Sequence, residues 1–161
     1  MESSPKSRSG ETSSHIAIIL VTLAQFIFFT FFHKYIAWPI TESDGIVTRL
    51  SMLTDEYFIW LPIMITASIL VILASIAMII YDEYRFRSTI QIIFSIIGIV
   101  VSVSLIAIYP FDFSVIPNTT ATDIVPVMVT VFFILLPVFY AVTALVMFVR
   151  LRRYIAKQEA R

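Results

Sequence analysis

Cysteine is absent from the 161 residues of this chain. Its absence excludes disulfides, thiolate nucleophiles, iron–sulfur clusters and cysteine-based zinc sites together. Glycine occurs only three times, too rarely for a phosphate-cradling loop. Charge is scarce as well: Asp, Glu, Lys and Arg make up 14% of the residues, and 11 basic side chains balance 11 acidic ones. A net charge of zero gives no global field to gather nucleic acid, so no such partner is expected. The two histidines, His15 and His33, stand far apart on one predicted helix, roughly 27 Å along its axis. They cannot share a metal or flank one haem, and no cofactor is expected.

What remains is apolar. Hydrophobic residues reach 59% of the chain and the mean hydropathy is +0.94. They gather into four long runs, and the last three contain no Asp, Glu, Lys or Arg. Such runs are costly in water and stable in hydrocarbon. They lack the period of two that barrel strands need. The predicted fold is therefore all-α, an integral membrane four-helix bundle. Residues 1–15 read as a disordered polar tail. Residues 16–150 form the membrane domain, with helices over about 16–37, 57–81, 89–109 and 124–149. Residues 151–161 form a basic tail. The first run is too long for the core of a secretory signal, and bulky Phe31, Phe32 and Tyr35 occupy the place of a cleavage site.

Local signals support these limits. Thr54 precedes Asp55 and Glu56 at the start of helix 2. Ser88 to Gln91 has capping-box form before helix 3, and Thr122-Asp123 opens helix 4 with Pro126 in its first turn. Tyr and Trp cluster at the run ends, as interfacial belts do. Lys6, Arg8, Arg85, Arg87, Arg150, Arg152, Arg153, Lys157 and Arg161 fall on one side, against Lys34 and Arg49 on the other. The positive-inside rule then predicts both termini in the cytoplasm of a multi-pass cell-membrane protein. The outer segments hold Glu42, Asp44, Asp55, Glu56, Asp112 and Asp123, read as the complement of that charge bias rather than as a cation site. Between helices 1 and 2, Thr41 to Asp44 resembles a capping box, and Ile46, Val47, Leu50 and Leu53 follow at helical spacing. That pattern predicts a short amphipathic helix on the outer surface. Asn118-Thr119-Thr120 has the letters of a glycosylation sequon, but so close to the membrane it is expected to stay unmodified.

Phe58 to Ile63 resembles Phe133 to Val138, and Trp38-Pro39 matches Tyr109-Pro110. Two tandem helical hairpins would explain this; so would coincidence in a small apolar alphabet. Small residues mark candidate helix seams: Ser95, Gly98 and Ser102 on helix 3, Ala67 and Ala74 on helix 2, Ala141 and Ala144 on helix 4. Thr22 and Gln25 share a face of helix 1, and Pro137 should kink helix 4 near mid-membrane. These three residues are the candidate polar path. An interhelical hydrogen bond at Gln25, worth about 0.6–2 kcal/mol, is the structural alternative. Arg150, Arg152, Arg153 and Lys157 form a juxtamembrane patch suited to anionic lipid.

Function follows from what is missing. Without buried charge, paired carboxylates or metal ligands, the chain reads as a non-catalytic accessory or structural subunit of a larger membrane complex. Its partners would be the lipid bilayer and other membrane subunits or further copies of itself. The alternative is an oligomeric carrier or channel for a small uncharged or apolar solute. A membrane enzyme would have only His33, Asp112 and Asp123 to work with, and nothing in the sequence unites them.

Overall fold

The computed structural model describes residues 5–41, 46–81, 83–117 and 119–159. Four helices dominate: α1 (Pro5–Phe31), α2 (Tyr57–Ile80), α3 (Tyr84–Ile108) and α4 (Thr119–Glu159). Each contains a stretch long and apolar enough to cross a membrane. Helices adjacent in the chain pack against one another: α1 on α2, α2 on α3 and α3 on α4. Among the described side chains of α4 none is buried, so this helix turns most of its surface away from the bundle.

Several helix limits differ from expectation. α2 starts where predicted. α1 begins at Pro5, within the segment expected to be a structureless tail, and proline at a first helical position costs no hydrogen bond. It also ends earlier, at Phe31. His33–Tyr35 then form a 3-10 turn, in which the His33 ring Nδ1 lies 3.1 Å from the Thr30 carbonyl. α3 begins at Tyr84, so Ser88 is a buried interior position rather than a cap. α4 runs through the basic tail to Glu159, because nothing from Arg150 onward breaks a helix.

The segment between α1 and α2 is a correction. In place of an amphipathic helix, β1 (Ala37–Thr41) pairs antiparallel with β2 (Val47–Ser51). An isolated two-turn helix is marginal, whereas strand pairing satisfies the backbone of both segments. The β-branched residues Ile40, Val47 and Thr48 favour that pairing. Glu42, Asp44 and Asn118 lie outside the described residues.

The hairpin is joined to the α3–α4 link. Leu53 and Phe111 form an antiparallel bridge; the Thr54 N–H donates to the Pro110 carbonyl and the Asp112 N–H to the Met52 carbonyl. Tyr109 makes the turn possible by closing α3 in the left-handed region at φ 45°. That conformation is uncommon for a non-glycine residue, and here the surroundings hold it. The Tyr109 hydroxyl meets Thr130 Oγ1 at 3.2 Å, and its ring packs edge-on to Phe111 and Phe113. Phe113, Ile116 and Pro110 are buried beneath.

The apolar core lies just under this cap. Tyr57, Trp60, Met64 and Leu105 are its buried centre, with Phe29, Val101, Phe111 and Phe133 packed around them. Farther along the bundle the seams narrow to small polar residues. Ser68 and Ser75 on α2, and Ser88, Ser95 and Ser102 on α3, recur every seven residues and are all buried. A heptad keeps one face of a helix on its neighbour, and serine lets the backbones approach. Ser68, Ser95 and Ser102 return their hydroxyl protons to carbonyls one turn back on their own helix.

Candidate functional site

A cleft of about 710 Å³ is bounded by all four helices. Its volume falls within the roughly 300–1,000 Å³ of small-molecule sites. Its rim comes from α1, with Thr22, Gln25 and Phe29, and from α4, with Phe132, Phe133 and Tyr140. Its floor comes from α2 and α3. There Trp60 Nε1–H points to the Val101 carbonyl at 3.4 Å, a long bond that ties the two helices. At the capped end, the Tyr57 hydroxyl donates to the Phe29 carbonyl, joining α2 to α1. The His33 ring stacks on Tyr57 with centroids 5.4 Å apart, and Phe29 meets Trp60 edge-on at 5.6 Å.

Thr22 and Gln25 are thus brought into the cleft together, whereas Pro137 is not among its lining residues. α4 passes through Pro126 and Pro137 as one helix. Gln25 is exposed, and its amide has no hydrogen-bond partner among the described residues.

The small residues divide. Gly98 lies under the Tyr140 ring, and a Cβ built there would stand 2.8 Å from three ring carbons. Ser95 and Ser102 are buried in the bundle, and Ala74 and Ala144 are half-buried. Ala67 borders both the cleft and an apolar groove of about 420 Å³ between α2 and α3. Ala141 is exposed, so it is not part of the packing within this chain. Among the basic residues, Arg150, Arg152, Arg153 and Lys157 are all exposed, and Arg150 also borders a small cavity with α1 and α3.

The Asp112 carboxylate accepts a hydrogen bond from the Ser114 hydroxyl and another from the Ser114 N–H, the latter at 2.9 Å, and together they hold its pKa below the usual value. Among the described residues no three of His, Asp and Glu gather where they could hold a metal. Two features escaped the sequence reading. The hairpin's alternation was masked by its helical spacing. The meeting of His15, Arg87 and Arg150 joins three helices distant in sequence, and no local pattern could reveal it.

Compared with known proteins, the chain matches no family model, no curated protein and no solved structure at a significant level.

Proposed function

We propose that this protein is a non-catalytic multi-pass component of a larger membrane complex, and that a transmembrane helix of a partner subunit or a second copy docks at the cleft between α1 and α4. The Gln25 amide carries the reading. A polar group left unpaired in hydrocarbon costs roughly 2–7 kcal/mol, so an amide facing an open cleft calls for a hydrogen-bonding occupant. Such an occupant supplies the bond that no described residue supplies. The broad outward surface of α4, with Ala141 on it, adds room for close helix approach. The charge bias of the links supports both termini facing the cytoplasm of a cell membrane.

Purification in mild detergent tests this. A stable heteromeric or homomeric species is expected, and Gln25→Leu should weaken it. Recovery of monomer alone, from intact membranes and at several detergent strengths, would overturn the reading.

The size of the cleft favours one second reading, a carrier for a small uncharged or apolar solute with Thr22 and Gln25 lining the route. Flux into proteoliposomes that fell with Gln25→Leu, from a preparation that stayed monomeric, would select it.

A further inference from the structure

The cleft between α1 and α4 is long as well as large. On α1 its wall runs from Ser14 to Phe29, about 22 Å at the helical rise of ~1.5 Å per residue, and so covers most of the hydrocarbon thickness. The packed helix pairs among the described residues are α1 on α2, α2 on α3 and α3 on α4, so this trough opens between the first helix and the last. No Asp, Glu, Lys or Arg is among its lining residues. Its polar side chains fall into two sets. Ser68 and Ser102 donate to carbonyls one turn back on their own helices, and Trp60 Nε1–H points to the Val101 carbonyl. Thr22 and Gln25 on α1 and Tyr140 on α4 have no hydrogen-bond partner among the described residues.

A hydroxyl, a primary amide and a phenol share one property: each both donates and accepts. A face that carries them complements itself. With no ionised group on it, no like charge opposes the meeting of two identical faces. Copies of one chain inserted the same way up hold Gln25 at the same depth, and a twofold axis along the membrane normal sets each amide against its equivalent. Two facing amides exchange a pair of N–H···O bonds, and each keeps a further N–H and a lone pair for the hydroxyls of the trough. The length of the trough suits a helix laid along it better than a compact solute. We propose that the occupant of the cleft is α1 of a second copy, each α1 lying in the other's trough so that two Gln25 amides pair across a twofold axis. This rests on the docking reading above and names the partner. The pairing fixes which side of α1 meets its equivalent. Ile18 and Gln25 face the axis. Leu20 and Ile27, each two residues farther on and therefore about 200° round the helix, are exposed on the far side.

With no native cysteine, single replacements in the full chain report contact directly. Ile18→Cys, Leu20→Cys and Ile27→Cys would each be reconstituted in liposomes and oxidised. A disulfide-linked dimer is expected from Ile18→Cys and little from the other two. Val21→Cys, on the same wall, repeats the measurement should Ile18→Cys lower the melting temperature. Adding Gln25→Leu to Ile18→Cys should weaken dimerisation about threefold to thirtyfold, the loss of one interhelical polar contact in lipid, read from dimer yield as the membranes are diluted with further lipid. Gln25→Asn, which keeps the amide, should weaken it less. Equal linking from both sides of α1 would mean chance collision and overturn the proposal, as would a yield that Gln25→Leu leaves unchanged. A chain that is monomeric in liposomes yet co-purifies from its own membranes with a different protein would also overturn it, and would leave docking at the cleft standing. Monomer in both settings would remove both.

Discussion

At Gly98 a single hydrogen atom sets how closely α3 and α4 approach. The Tyr140 ring occupies the space a side chain would need, and the ring carbon nearest its own backbone is among the atoms in the way. Gly98→Val should therefore destabilise the bundle by about 1–3 kcal/mol through overpacking, read as a lower melting temperature in detergent. Ser95→Ala, one turn away, should be much milder, because that hydroxyl bonds only within its own helix. Asp112 gives a pH signature. Its folded pKa is lowered, so its contribution is present above the unfolded value of about 3.9 and fades as pH falls through the folded one. Melting temperatures measured from pH 7 down to 3 should show an acid limb, and Asp112→Ala should flatten it. The small-residue stripe of α3 was legible in the sequence, since Ser95, Gly98 and Ser102 stand at helical spacing. That Tyr140 is what fills the space above Gly98 was not, because α4 offers many side chains of similar character.

Among the elements, the four long helices could be read directly, and α2 nearly to the residue, because an uninterrupted apolar run bounded by charge has few other solutions. The ends of α1 and α4 were harder to read. Helix formation carries on into polar sequence wherever no breaker intervenes, and hydropathy reports solvent rather than backbone conformation. The hairpin was missed for a different reason. Ile46, Val47, Leu50 and Leu53 fit a helical spacing, and only the partner strand, ten residues away, decides in favour of pairing. The absence of native cysteine makes the strand register testable. Ile40 and Thr48 are cross-strand partners, and antiparallel partners lie about 4.5–5.5 Å apart, within disulfide range. Ile40→Cys with Thr48→Cys should form an intramolecular disulfide under mild oxidation, seen as a mass loss without dimerisation. Ile40→Cys with Arg49→Cys, one position out of register, should do so far less readily, because neighbouring side chains on a strand point to opposite faces.

For the whole molecule, α1 around Ser14 and His15, the first turns of α3 and α4 around Met147 and Arg150 meet at one end, and the hairpin and the α3–α4 link meet at the other. Single cysteines at Lys157 and Ile46 should therefore react with an impermeant maleimide from opposite sides of the membrane, with Lys157→Cys labelled only from the cytoplasm. Labelling of both from one side would refute the topology. The backbone bonds from Thr54 to Pro110 and from Asp112 to Met52 fasten the α1–α2 pair to the α3–α4 pair at the hairpin end. Any rearrangement that keeps those bonds must swing about them like the arms of tongs. The gap between α1 and α4 would then open widest at the distant end, farthest from the hairpin, so the contacts made there govern how far the jaws can part.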